Sequence, residues 1–460
     1  MRFRPLFACA VVVASLGVVP PGRAAVPSPK VTGPIGDAGL RGHAMFDSWF
    51  DLGALGYRQD EYFVSGTAES LDRTTNAKYR TRIIVTRPIS VARFNGTVLL
   101  DWVNVTAQFE NAVDTLEAQQ MLLREGFAYV WVSAQAAGIC CTPLTPKVWD
   151  PVRYASLKHP GDAFSYDMFS QIARAVRAPA GLAPMGGLRV ERVLAAGQSQ
   201  SAGYLYRYVT EVQARAGVID GFLIHGGGSK TYETAPAAPV LHLLSDAEAS
   251  PASPNQTVNY RLWEIAGTAH SDFWLGYHSV FGQGPRVLAD APQRPSSAFK
   301  TVSRAAGNYG EVLHPMLATC VLAGATMPMR YAASTALYRL DQWVRTGVAP
   351  PNGPRYEFSG GSLALDADGN ARGGIRLPPI DVPVARYVST ACGLGGFTIP
   401  WTDLQIRMRY PTHANYYAKM KAATAAAVDA GWLLPADATD LLKRACRAKI
   451  RWQDFSDSPC

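Results

Sequence analysis

The spacing of apolar residues changes twice along this chain, and each change marks a different kind of element. Over 61–67 and again over 79–86 polar and apolar residues alternate, Tyr79-Arg80-Thr81-Arg82 giving way to Ile83-Ile84-Val85. Alternation predicts antiparallel strands with one solvated face. After Pro88 the runs become continuous: Thr97-Val98-Leu99-Leu100-Asp101-Trp102 and Ala128-Tyr129-Val130-Trp131-Val132-Ser133 are apolar almost throughout, as strands buried on both faces must be. A helix is predicted between them over 114–124, closed by Gly126. Strands over 192–196, 218–224, 240–244 and 262–266 then alternate with helices over 166–177 and 202–214. That order predicts an α/β fold, mainly a parallel sheet with helices on both faces. Beyond about residue 280 the pattern changes again. It predicts a helix over 329–344, a turn at Ala349-Pro350-Pro351-Asn352-Gly353, a hairpin over 360–376, and helices over 416–430 and 437–449. Asp366, Asp368 and Asn370 open like a calcium loop, but Leu377 stands where the bidentate Glu belongs, so the segment reads as a turn.

The N-terminus has its own signature. Arg2 and Arg4 precede an apolar run over 6–19, and Pro20-Pro21-Gly22-Arg23-Ala24-Ala25 offers a cleavage site after Ala24. The run is shorter than the roughly 20 residues of a membrane span and ends in prolines. A cleaved signal peptide over 1–24 is therefore expected, with a secreted or periplasmic protein and no transmembrane segment in it. The remainder, 25–460, reads as one domain, with a catalytic core over about 57–280 and a C-terminal extension over about 281–460.

Composition narrows the class. Hydrophobic residues make up 48% and charged residues 17%, which excludes a disordered chain. The formal charge is +8, and three of the positive residues sit in the predicted leader. No Lys/Arg run reaches the five to eight residues of a nucleic-acid patch, so no nucleic-acid partner is expected. Of seven cysteines, Cys9 lies in the leader, leaving Cys140, Cys141, Cys320, Cys392, Cys446 and Cys460. An even number in an oxidising compartment predicts disulfides. None stands in a zinc-binding spacing, and no metal or cofactor is expected.

The chemistry concentrates at Gly197-Gln198-Ser199-Gln200-Ser201-Ala202-Gly203, between a buried strand and a helix. A nucleophile elbow needs that context, because the serine sits on a strained turn that admits only small residues two before and two after it. Here the second small residue is Ser201 in place of Gly. A serine hydroxyl needs a neighbouring base and an orienting acid, and elbow folds supply them downstream in the order acid, then His. His270 follows a strand and a tight loop and is the predicted base; His278 and His314 are the alternatives. His225 and His242 lie at or in strands and read as structural, and His413 is remote. After the strand over 240–244 stand Asp246 and Glu248, with Glu248 favoured by its spacing of three from Ser245. The oxyanion of acyl transfer needs two N–H donors. Gln200, the residue after the serine, supplies one, and Asn104 or Val105 in the loop after Trp102 supplies the other. His225-Gly226-Gly227-Gly228 looks like an oxyanion motif but follows the nucleophile, so it reads as a turn leaving the sheet.

Several segments together resemble the bacterial α/β-hydrolase domain-containing proteins, a family of mostly uncharacterised, often exported proteins read as serine esterases. They are Asp101-Trp102-Val103-Asn104-Val105-Thr106, Val132-Ser133-Ala134-Gln135, Asp150-Pro151-Val152-Arg153-Tyr154, His159 through Asp167, the elbow, Arg261 through His270, and Thr390-Ala391-Cys392-Gly393. The resemblance implies an α/β-hydrolase fold with Ser199 as nucleophile and His270 as base, and implies little about substrate. The expectation is an exported serine hydrolase that cleaves a small-molecule or lipid-like carboxylic ester through Ser199, Glu248 and His270, with Gln200 and Val105 at the oxyanion. The alternatives are a catalytically silent exported binding protein on this fold, or an amidase or acyltransferase using the same nucleophile. Tyr331, Trp343 and Trp401, in the C-terminal extension, are candidates to shape the substrate pocket, although aromatic positions at helical spacing are more often core residues.

Overall fold

In the computed structural model, which describes residues 25–252, 254–299 and 324–448, the alternating segments form a long antiparallel pair. Tyr57–Glu69 (β2) and Asn76–Pro88 (β3) pair from Tyr57 opposite Pro88 to Glu69 opposite Asn76, and Lys30–Thr32 (β1) adds to the outer edge of β2. Both strands outrun the predicted segments, because main-chain pairing continues past the point where side chains alternate. The predicted leader, Cys9, His314, Cys320 and Cys460 lie outside the described residues.

The continuous apolar runs become Thr97–Trp102 (β4), Ala128–Val132 (β5), Arg192–Gln198 (β6), Gly221–His225 (β7), Val240–Leu244 (β8) and Tyr260–Glu264 (β9). With the N-terminal strands they build one sheet in the order β1-β2-β3-β5-β4-β6-β7-β8-β9. The pairs from β5 to β9 are parallel, and β3 joins β5 antiparallel. Side chains of successive residues point to opposite faces, so each strand feeds two cores. Leu99, Leu194, Ala196, Leu223, Leu241 and Trp263 are buried on one face, and Val98, Leu100, Val193, Phe222, Ile224 and Val240 on the other.

Four helices supply the covers: Val113–Arg124 (α1), Ser165–Arg177 (α2), Gln200–Arg207 (α3) and Met329–Thr346 (α4). Ala118, Met121 and Leu122 of α1 join Ala332, Leu337 and Leu340 of α4 over the first face, and Phe169, Ile172, Ala202 and Leu205 cover the second. Each such side chain contributes about 1.5–3 kcal/mol by leaving water. The chain beyond residue 281 thus covers the sheet as well as its rim. This corrects the expectation for two of its aromatics: Tyr331 and Trp343 are buried in the core and do not line a pocket. Burial, not exposure, is what aromatic positions at helical spacing produced. The rest of the extension holds two small antiparallel pairs, Phe358–Ser359 (β10) with Ser362–Leu363 (β11) and Ala385–Val388 (β12) with Phe397–Pro400 (β13). His413–Asp429 (α5) and Pro435–Arg447 (α6) are the last helices among the described residues.

Cys140 and Cys141 are bonded to each other, and Cys392 and Cys446 each take part in a disulfide as well. The vicinal pair lies in the loop after β5, where Thr142 Oγ1 donates to the Gln108 carbonyl at 2.9 Å. Among the described residues no helix is long and apolar enough to cross a membrane.

Candidate active site

Parallel strands place all their carboxyl ends on one edge, and the loops leaving β6, β7, β8 and β9 hold Ser199, Gly226, Glu248 and His270. Ser199 has φ 62° and ψ −115°, a left-handed conformation that costs a non-glycine residue about 1–3 kcal/mol. Its N–H donates to the His225 carbonyl at 2.8 Å, which locks the turn to the end of β7. The helix begins at Gln200, two residues before the predicted start, so the turn passes straight from strand to helix. Ser201, standing where a glycine is usual, is fully buried and donates its hydroxyl to the Gln198 carbonyl at 2.9 Å.

Of the two carboxylates after β8, the structure brings Glu248 to His270. Its Oε1 is hydrogen-bonded to His270 Nδ1, and its Oε2 accepts the Ser245 N–H at 2.9 Å. Burial alone would raise its pKa, but the bond to His270, the charge of that ring and the Ser245 bonds hold the carboxyl below its ordinary range. Asp246, on the same turn, points the other way. It accepts the Gly267 N–H at 3.0 Å and the Ser389 hydroxyl at 2.5 Å, tying the loop that carries His270 to the C-terminal extension. Burial pushes it up to about 6 against these bonds.

The other candidate histidines among the described residues are engaged elsewhere. His225 Nδ1 meets Asp114 at 2.9 Å, and His242 lies between the Tyr260 hydroxyl at 2.9 Å and the Gly226 carbonyl at 3.1 Å. His278 bonds to the Trp274 carbonyl at 2.9 Å and His413 to the Ala445 carbonyl at 3.1 Å. Burial pushes both His242 and His278 down to about 4.

No hydrogen bond joins the Ser199 hydroxyl to His270 among the described residues. The other ring nitrogen of His270, Nε2, is met instead by the Gln198 side-chain nitrogen at 3.1 Å, which also donates to the His270 carbonyl at 3.0 Å.

The glycine turn after β7 does more than leave the sheet. Gly226 has φ 68°, and a Cβ there would stand 2.9 Å from Glu248 Oε1 and 3.2 Å from His270 Cε1. This turn is the floor beneath the acid–base pair. Sequence reasoning saw the glycines but assigned them no place at the site.

The loop after β4 reaches the elbow from the other side. Asn104 and Asn111 exchange backbone bonds of 2.9 Å in both directions, and Asn104 Nδ2 donates to the Gln198 carbonyl at 3.0 Å. The Asn104 N–H is therefore engaged, whereas that of Val105 donates to no acceptor among the described residues. At α3, Gln200 is the first residue, and its N–H has no intrahelical acceptor. Both donors expected at an oxyanion are thus available. Glu110, at the far end of this loop, pairs with fully buried Arg82 of β3, which also bonds Glu61 at 3.0 Å. Burial disfavours the Arg82 charge, but Glu110, Tyr154 and Glu61 outweigh it and raise its pKa. Below the loop, Asp101 accepts the Thr115 N–H at 2.9 Å and its hydroxyl at 2.7 Å, fastening the first turn of α1 to β4. Burial, with Asp114 nearby, drives Asp101 well above its ordinary range. None of these ties carries a local sequence signal, since each joins residues distant in the chain.

A cleft of about 620 Å³ opens against α3, lined by Asp162, Tyr166, Gln200, Tyr204 and Arg207 among others. Tyr166 and Tyr204 stack with centroids 5.7 Å apart, and the Tyr204 hydroxyl donates to Asp162 at 2.9 Å. Among the described residues no cluster of three or more His, Cys, Asp or Glu could hold a metal ion.

No curated protein sequence matches the chain significantly. Solved structures similar to it include an α/β serine hydrolase homologue from Coxiella burnetii, 10% identical, covering 52% of this chain and 96% of that one at a TM-score of 0.28. Another is XC6422 from Xanthomonas campestris, described as an α/β serine hydrolase without a lid, 14% identical, covering 50% and 97% at 0.29. The esterase Est22 is 12% identical, covering 43% and 67% at 0.27. A family model described as an alpha/beta hydrolase domain matches residues 31–443. Across that span, which includes the elbow, the glycine turn and the acid–base pair, the chain belongs to the alpha/beta hydrolase domain family.

Proposed function

We propose that this protein is a serine hydrolase acting on carboxylic esters. The observation that carries the reading is Ser199, held in left-handed backbone at the carboxyl edge of the sheet beside a hydrogen-bonded Glu248–His270 pair. Backbone strain at a non-glycine residue persists where its surroundings over-determine it, and such places concentrate at reactive sites. In this reading Ser199 Oγ attacks the ester carbonyl while His270 Nε2 takes its proton. Glu248 holds the imidazole with Nδ1 protonated and stabilises the imidazolium that forms. The N–H groups of Gln200 and Val105 receive the developing oxyanion. His270 then returns the proton to the leaving alcohol, and water releases the acyl group by the same steps in reverse roles. The hydrolase fold supports a small-molecule ester as substrate, and a lipid-like ester is part of the same proposal.

The missing bond between Ser199 and His270 favours a second reading, a catalytically silent binding protein on the same fold. One experiment separates the two: intact mass after incubation with a fluorophosphonate, on wild type, Ser199→Ala and His270→Ala. A single adduct lost in both variants supports the hydrolase, and hydrolysis of esters of graded chain length against amides and added alcohol acceptors then assigns the reaction. No adduct on folded wild-type protein sinks the hydrolase reading and leaves the binding protein. Export belongs to the same proposal. Mature protein recovered from the culture medium or periplasm with its N-terminus at Ala25 supports it, and an uncleaved cytosolic chain refutes it.

A further inference from the structure

Gln198 stands between the nucleophile strand and the base, and no part of the mechanism above uses its side chain. The residue is buried, and its backbone carbonyl is held twice, by Asn104 Nδ2 at 3.0 Å and by the Ser201 hydroxyl at 2.9 Å. Its side-chain Nε2 lies 3.0 Å from the His270 carbonyl oxygen and 3.1 Å from His270 Nε2. A carbonyl oxygen only accepts, so the atom facing it is the amide nitrogen, which fixes the orientation of the carboxamide. That nitrogen carries two hydrogens, and the second points at the ring. The ring nitrogen it meets must then be the bare, accepting one, and the proton must sit on Nδ1, toward Glu248.

We propose that Gln198 is a positioning residue for the base: its carboxamide bridges the backbone and ring of His270, a grip that only the neutral, Nδ1-protonated imidazole satisfies, and hands Nε2 to the Ser199 hydroxyl when substrate is bound. This rests on the hydrolase reading for its catalytic consequence, though not for the contact itself. The grip has two effects. It orients the ring from the elbow side as Glu248 orients it from the other, and it selects the tautomer whose Nε2 is bare. Among the described residues, these charged and titratable groups lie on the elements around the ring. Glu248 bonds to it directly. Asp246 is turned to Gly267 and Ser389, Asp272 accepts the N–H groups of Leu275 at 2.9 Å and Met329 at 3.2 Å, and His225 and His242 are tied to Asp114 and Tyr260. Of these side chains, only Gln198 reaches Nε2.

The test compares wild type with Gln198→Met, which keeps the bulk and loses both donors, and with Gln198→Glu, which replaces the donor by a carboxylate. The rate of fluorophosphonate labelling is followed from pH 4 to 9, and the His270 ring resonances are titrated by NMR over the same range. The acid limb is expected to move to higher pH by about 0.5–1 unit in Gln198→Met, the worth of one hydrogen bond to the neutral ring. It should move further in Gln198→Glu, where an adjacent negative charge favours the imidazolium. A purely structural role predicts a lower plateau rate with the midpoint unmoved, and that result overturns the proposal. The ring titration distinguishes the two levels of failure. If wild type takes no label yet the NMR midpoints still follow wild type, then Met, then Glu, the hydrolase reading falls and the contact stands. If wild type labels at Ser199 but neither variant moves the ring titration, the hydrolase stands and Gln198 has no such role. Far-UV circular dichroism of both variants identifies any that fail to fold; for those, the wild-type ring decides by itself. A ring whose Nε2 nitrogen shift at high pH is that of a hydrogen-bonded acceptor with Nδ1 protonated supports the grip, and the reverse tautomer refutes it.

Discussion

Substitution of Gly226 by alanine offers a sharp test of the site, because a matched control lies two residues away. Gly226 and Gly228 have nearly the same φ, 68° and 74°, so alanine at either bears a similar left-handed penalty of about 1–2 kcal/mol. They differ in what the new methyl meets. At Gly228 nothing lies within 4 Å, whereas at Gly226 the Cβ falls 2.9 Å from Glu248 Oε1 and 3.2 Å from His270 Cε1. An ordinary contact begins near 3.4 Å, so the pair must yield by about half an ångström or the turn must shift. A misplacement of about 1 Å at reacting groups costs roughly 10²-fold in rate. Gly226→Ala is therefore expected to label with fluorophosphonate about 10-fold to 10²-fold more slowly, and Gly228→Ala at close to the wild-type rate. Both should melt about 1–2 °C lower, as a 1–2 kcal/mol loss implies for a domain of this size. Stopped-time labelling read by intact mass, with thermal melts on the same samples, measures both quantities. Equal labelling by the two variants would refute the placement of the turn beneath the acid–base pair.

Three further predictions follow from the same geometry. Ser199→Gly relieves the left-handed strain and should raise stability to urea by about 1 kcal/mol while abolishing labelling; a destabilised variant would contradict the strained elbow. Glu248→Gln removes the charge and, with its one oxygen held by the Ser245 N–H, turns an NH2 donor toward Nδ1; it should lower the labelling rate by about 10³–10⁴-fold with little change in fold, whereas Asp246→Asn should leave the rate within about 10-fold. Asp246 carries a pH signature as well. Its folded value of about 6 lies above the unfolded one, so the folded state holds the proton more tightly, and its contribution is present below pH 4 and lost as pH rises through 6. Wild type should lose about 2 kcal/mol from this group between pH 4 and 6, a loss that Asp246→Asn lacks. The stability of the Asn variant relative to wild type should thus rise across that window in urea titrations, and a flat difference would refute it.

How much of this was legible depends on the range of the interaction concerned. The buried parallel strands and the elbow at Ser199 are local patterns: a continuous apolar run, then small residues around a serine, then a helix. Chain order and position after a strand then narrowed the partners to Asp246 or Glu248 and to His270, with His278 and His314 as alternatives. Which carboxylate meets the imidazole was a matter of direction. The turn after β8 sends Asp246 inward to Gly267 and Glu248 toward His270, and two residues of separation in sequence cannot encode that without the neighbouring strand. The aromatics of the C-terminal extension show the same limit, since spacing identified a helix over Tyr331 and Trp343 but not the sheet face it would cover. Arg82 with Glu110, His225 with Asp114, Gln198 with His270 and Gly226 under the pair all join residues from different strands and loops. By itself the sequence determined the alternation of strands and helices, the elbow and the short list of partners, because these follow from periodicity and local backbone sterics. Only the tertiary structure decided which side chains touch, because those contacts depend on strand order and register, which bring together groups tens to more than a hundred residues apart.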